Sequence, residues 1–145
     1  MTIQAIQQEI IEEFAGLGEW MDRYNYLIDL GKDLPMIDPA FRNDEYLIRG
    51  CQSRVWLNAE LDGDRIVFTA DSDAIITKGL AALIIRVFTN HTPDEILGAN
   101  LDFIDQIGLK EHLSPTRSNG LVSMIRQIRY YALAWQAKMK TDHGN

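Results

Sequence analysis

Asp62-Gly63 lies between two segments whose apolar residues alternate, and this arrangement constrains the chain more than any other feature in it. Before it, Val55, Leu57, Ala59 and Leu61 alternate with Arg54, Trp56, Asn58 and Glu60, the period of a strand covered on one face. After it, residues 65–69 return as Arg-Ile-Val-Phe-Thr. An Asp-Gly turn between two such runs predicts a β-hairpin. Helical periods occupy both ends of the chain, so the hairpin must bury one face against helices. The expected fold class is α+β, a small antiparallel sheet packed with helices.

Ile3, Ile6, Ile10, Phe14 and Leu17 recur every three or four residues, with Glu9, Glu12 and Glu13 on the other side, which predicts an amphipathic first helix. Gly16 and Gly18 break it. A second period runs through Trp20, Met21, Tyr24, Leu27 and Ile28 until Gly31 stops it. Residues 32–50 contain Pro35, Pro39 and scattered charges and read as a long ordered loop with one short strand near residues 46–48; loops of that length usually carry function.

Beyond the hairpin, Asp71-Ser72-Asp73 supplies N-cap candidates for an apolar helix over residues 75–88, whose Leu80, Leu83, Ile84 and Val87 form the expected core. Thr92-Pro93-Asp94-Glu95 combines an N-cap, a proline at the first helical position and a capping-box glutamate, which starts a short helix. Ser114-Pro115 repeats the signal before a long C-terminal helix. One face of that helix carries Leu121, Met124, Ile125, Ile128, Tyr131, Ala132, Trp135 and Met139, a core-packing stripe.

A chain of 145 residues, 46% of them hydrophobic, falls in the single-domain range, so residues 1–145 are expected to form one domain. With 14 Lys and Arg against 21 Asp and Glu, its net charge of -7 argues against general attraction to nucleic acid or an anionic membrane. The start of the chain lacks a signal-peptide pattern, and no apolar run approaches the roughly 20 residues that span a bilayer. A soluble, cytoplasmic protein with protein partners is the expectation. Charge is uneven: residues 112–141 carry Arg117, Arg126, Arg129, Lys138 and Lys140 and no carboxylate. That end either complements the helix dipole or forms a docking surface.

One cysteine excludes an internal disulfide, a zinc ribbon and a cluster scaffold held by this chain alone. His91, His112 and His143 lack the i, i+4 spacing of a paired metal site, so no metal is expected. Cys51 is therefore either a buried small hydrophobe or a singular reactive thiol. Gly50 allows another chain to approach closely. Arg49 and Arg54 favour a thiolate if their side chains turn toward it. Asp71 and Asp73 read as helix caps rather than catalytic acids.

Gly50-Cys51-Gln52-Ser53-Arg54-Val55-Trp56 resembles the signature of the SufE family, which includes CsdE. The likeness continues through Asp71-Ser72-Asp73-Ala74, Lys78-Gly79-Leu80 and the run from His112 to Gly120, and covers about residues 10–135. Residues 27–35 also fit the family's N-terminal helix and loop. Ala70 departs from the glycine found in some members.

The resemblance implies a fold similar to IscU-type scaffolds and a sulfur acceptor rather than a stand-alone enzyme. In that role Cys51 takes persulfide sulfur from a pyridoxal-phosphate cysteine desulfurase of the SufS or CsdA type, and stimulates its turnover. The sulfur then passes to an iron-sulfur scaffold, and the chain itself binds no cofactor. Gly50, Gln52, Ser53 and Arg117 are the supporting candidates. Gln52 and Ser53 either hydrogen-bond the sulfur or cap the strand; Arg117 either orients the Cys51 loop and steadies its anion or is a surface cation. The alternative is a non-catalytic interaction domain in which Cys51 is structural or redox-sensing.

Overall fold

The computed structural model describes residues 1–35, 37–48, 53–109 and 113–143. Helix α1 (Ile3–Ala15) begins where the Thr2 hydroxyl accepts from the Ala5 amide at 3.0 Å, and it buries Ile3, Gln7, Ile10 and Phe14. Helix α2 (Trp20–Lys32) follows after a break at Gly16 and Gly18. Two short 3-10 turns, Pro39–Phe41 and Asp44–Tyr46, occupy the long connection that follows. Strands β1 (Val55–Asp62) and β2 (Arg65–Ser72) then form an antiparallel hairpin, paired from Val55 with Ser72 to Asp62 with Arg65. Gly63 takes φ +66° in the turn, a left-handed conformation that a residue without a Cβ adopts freely.

Helix α3 (Ile75–Phe88) runs through the centre, packed against α2, β2, α1 and the last helix. Eleven of its fourteen residues are buried, including the expected Leu80, Leu83, Ile84 and Val87, so it is a core helix rather than a surface one. Each such side chain contributes about 2 kcal/mol of transfer free energy. Short helices α4 (Pro93–Leu97) and α5 (Phe103–Gln106) follow, and α6 (Pro115–His143) closes the fold. Helix α4 starts as its sequence dictates. The Thr92 hydroxyl accepts from the Glu95 amide and the Glu95 carboxylate from the Thr92 amide, both at 3.2 Å, and those bonds hold the Glu95 carboxyl below the usual glutamate value. The chain is α+β, and its sheet among the described residues is the single hairpin.

Three local expectations are corrected. Gly31 does not stop α2, which runs on through Lys32; it lies where α2 crosses α3. A Cβ on Gly31 would meet the Gly79 nitrogen at 2.9 Å, and one on Gly79 would meet the Leu27 carbonyl oxygen at 2.2 Å. Two glycines thus let the helix backbones touch. Trp56, expected on the uncovered face of β1, is only 7% exposed: Leu47 bridges to it and the Arg42 guanidinium lies 4.7 Å over its ring. The connection before β1 therefore covers the face that the alternation alone leaves open. Asp71 and Asp73 do not cap α3, whose N-cap residue is Ala74, without a side-chain hydrogen bond.

Candidate functional site around the residue 49–54 loop

Cys51, Gly50 and Gln52, with Arg49, lie outside the described residues; the chain on either side of them is described and fixes where their loop springs from. Leu47 bridges antiparallel to Trp56, and the Ile48 amide donates to the Val55 carbonyl at 2.8 Å. The expected strand near residues 46–48 is thus reduced to this one bridge, since the Asp44–Tyr46 turn uses the residues before it. Residues 49–54 connect two paired backbones at one end of the hairpin. Ile48 and Val55 are buried, and together with Leu57, Met124 and Ile128 they anchor the base of the loop in the core.

The far end of the loop is clamped by the residues first read as caps. The Asp73 carboxylate accepts from the Arg54 amide at 3.0 Å. The Ser72 hydroxyl donates to the Arg54 carbonyl at 2.8 Å, and the Asp73 amide donates to the same carbonyl at 3.2 Å. The Arg54 backbone thereby has its donor and acceptor both satisfied by the end of β2. These side chains are competent N-caps by type, but β1 offers them a partner that the local sequence does not reveal.

Asp71 is the centre of a second contact set. Its carboxylate lies 3.4 Å from both the Arg42 Nε and the Lys78 Nζ, and also accepts from the Ser72 amide at 2.8 Å. Arg42 in turn stacks on Trp56. The 3-10 turn, β1, the end of β2 and α3 are joined here around one carboxylate. Three cations, Arg42, Arg54 and Lys78, stand with two carboxylates near the base of the loop, and both carboxylates are already engaged. Arg42 and Lys78 thus share the one Asp71 carboxylate, which leaves a local excess of positive charge. Asp71 reads in the sequence only as a helix cap, and Arg42 carries no local signal at all, because their contact joins residues far apart in the chain.

Ser53, the first described residue after Cys51, is half-buried. Arg117 is exposed, with its guanidinium 5.8 Å over the Tyr24 ring and its amide donating to the Ser114 hydroxyl at 3.3 Å. That pairing places Arg117 between the start of α6 and α2. Among the described residues, no cluster of three or more His, Cys, Asp or Glu is arranged to hold a metal ion, and no helix is long and apolar enough to cross a membrane.

Comparison with known proteins adds an independent line. The SufE family model, described as an Fe-S metabolism associated domain, matches residues 8–132. An uncharacterised SufE-like protein of Rhizobium meliloti is 44% identical over 126 residues, covering 83% of this chain and 90% of its own. SufE-like protein 1 of Arabidopsis thaliana, chloroplastic/mitochondrial by its name, is 38% identical over 139 residues; the match takes in 95% of this chain but 38% of the plant protein. In structure, the chain is similar to a hypothetical protein from Thermus thermophilus solved in solution. The TM-score is 0.76 and the identity 19%, over 91% of this chain and 96% of that one, a likeness of fold alone.

Proposed function

The chain belongs to the SufE family, and from that premise we propose that it is a cytosolic sulfur acceptor whose Cys51 takes persulfide sulfur from a cysteine desulfurase and passes it toward iron-sulfur cluster assembly. The observation that supports this reading is how the chain on either side of its one cysteine is held, by the Ile48–Val55 pair before it and the Ser72–Asp73 clamp on Arg54 after it.

The chemistry is thiol exchange. The Cys51 thiolate attacks the terminal sulfur of the donor persulfide, a sulfur-sulfur bond forms on Cys51, and the donor's own sulfur-sulfur bond breaks. The donor cysteine leaves as a thiolate, so one sulfur moves with no net oxidation and one proton is redistributed. Transfer onward repeats the exchange, with Cys51 as the leaving thiolate. Arg42, Arg54 and Lys78 favour the anionic states at both steps. In this reading Gly50 lets the partner's backbone approach, Gln52 and Ser53 hydrogen-bond the sulfur or hold the chain beside it, and Arg117 at the start of α6 orients that segment or steadies its anion. The lone cysteine suits transfer, because assembling a cluster needs several ligands.

The test is cysteine-dependent sulfide release by a purified desulfurase of the SufS or CsdA type, alone, with the wild-type chain, and with Cys51→Ser. Stimulation by wild type alone, with gain of one reducible sulfur in its intact mass, is expected. Equal stimulation by both forms would rule out transfer through Cys51, and stimulation by neither would favour an interaction domain in which the cysteine is structural or redox-sensing.

A further inference from the structure

Helix α6 buries Leu121, Met124, Ile125, Ile128 and Ala132 on one face and leaves a second apolar stripe in solvent on another. Val122 is 41% exposed, Tyr130 63% and Leu133 56%, three of the six large hydrophobic side chains left exposed on the described surface. Their spacing, with Arg126 between the first two, follows one side of the helix for about three turns, or roughly 16 Å of length. Lys138 is also exposed on α6, further round the helix from the stripe, its Nζ 4.9 Å over the Trp135 ring. No carboxylate occurs between residues 113 and 141. By helical spacing these three side chains share one side of α6 with Arg126 rather than lying scattered over the surface.

We propose that this stripe is part of the surface that docks the desulfurase, and that it fits a partner patch with an apolar centre and an acidic rim; this rests on the function proposed above. Position supports it. The Tyr130 ring lies 6.4 Å from that of Tyr131, whose hydroxyl donates to the Leu57 carbonyl at 3.4 Å. Leu57 is two residues from Val55, the partner of Ile48 at the base of the cysteine loop. A protein covering the loop therefore needs to extend only one helix width to reach the stripe, within the dimensions of a standard interface.

Charge selects among occupants. Two copies meeting through this stripe would set two cationic helix segments against each other, with no carboxylate between residues 113 and 141 of either. An anionic membrane or nucleic acid would attract α6 but repel residues 1–111, which carry twenty Asp and Glu against nine Lys and Arg. An acidic protein patch limited to the stripe meets neither objection. Tyr and Arg are also the side chains that dominate binding at such centres.

The experiment titrates a purified SufS- or CsdA-type desulfurase with wild type, Tyr130→Ala/Leu133→Ala, Arg126→Glu/Lys138→Glu, and Cys51→Ser. Each is checked for native circular dichroism, which substitutions at exposed positions should preserve. Both α6 variants are expected to raise the half-saturating concentration at least tenfold, with maximal stimulation recovered at high concentration. Added salt should weaken wild type more than the charge-reversed form. Cys51→Ser should fail to stimulate at any concentration, so a failed docking surface and a failed transfer mechanism give different curves. Unchanged half-saturation in both α6 variants overturns the proposal. So does a wild-type dimer that these substitutions dissociate, or binding to phosphatidylserine vesicles that they abolish. A wild type that stimulates no desulfurase removes the proposed function and this surface with it.

Discussion

Replacing Gly79 by alanine tests the helix crossing, because two physical effects predict opposite signs. In an open helix position alanine is more stable than glycine by about 1 kcal/mol, from backbone entropy alone. At Gly79 the new methyl group would fall 2.2 Å from the Leu27 carbonyl oxygen and 2.7 Å from its carbon. Both atoms are backbone, inside a helix, beside a side chain that is fully buried. Ordinary contact requires α2 and α3 to separate by about 1 Å, which breaks packing along the whole crossing. Overpacking of this kind costs about 1–3 kcal/mol, and rigid backbone takes the upper end. After subtracting the propensity gain, Gly79→Ala should destabilise by about 2 kcal/mol, a fall of roughly 4–8 °C in Tm for a chain of this size. Thermal unfolding followed by circular dichroism measures it. Gly16→Ala is the control: Gly16 has φ -76°, and an added Cβ finds its nearest neighbour, Glu13 O, at 3.6 Å, so that variant should match or exceed wild type. A Gly79→Ala protein as stable as wild type would refute the close crossing.

Two further perturbations follow from single contacts. The Glu13 carboxylate of α1 is held by Arg86 of α3 at 2.6 and 2.9 Å and by the Tyr26 hydroxyl of α2 at 2.6 Å, and the Arg86 hydrogen bonds chiefly keep its carboxyl below the ordinary 4.5. A carboxyl depressed in the folded state stabilises fully above its unfolded value and loses that contribution as pH falls through the folded one. Glu13→Gln should therefore be less stable than wild type at pH 7, by up to about 1 kcal/mol, with the gap closing below pH 4.5; a gap independent of pH would show that the ion pair contributes nothing. Asp73→Ala removes the acceptor of the Arg54 amide, a loss of about 1 kcal/mol locally, so hydrogen exchange at that amide should rise several-fold while the α3 core amides keep their protection. Unaltered Arg54 exchange would mean that the clamp is not made in solution.

What the sequence revealed of this fold was what depends on neighbours in the chain. The Asp62-Gly63 hairpin, the apolar run of α3 and the capping box at Thr92 each follow from a few consecutive residues, and each stands where it was expected. Contacts between distant segments were not legible. Gly31 carries the signal of a helix stop, and only α3 lying against it shows why glycine is needed inside the helix. Trp56 falls in the outward row of β1 by alternation, yet Arg42 and Leu47 cover it from a connection with no periodicity of its own. β2 ran three residues beyond its expected end because Ala70, Asp71 and Ser72 pair with the first residues of β1. For the site, the family signature singled out Cys51, whereas the roles of Asp71, Ser72 and Asp73 depend on Arg42, Lys78 and Arg54 meeting them in space.

The pairing of Ile48 with Val55 and the clamp on Arg54 set a tether length. Cys51 is three residues from Ile48 and three from Arg54, so its Cα can stand at most about 11 Å from either fixed point, however the intervening chain is arranged. A carrier arm that visits two distant stations needs several times that span. In the transfer proposed above, the donor's sulfur would have to be delivered within that reach of the hairpin end, and the next acceptor would have to come to the same place. The donor would then withdraw before the acceptor arrives, and the lifetime of each encounter, rather than the swing of a long arm, would limit the sulfur flux.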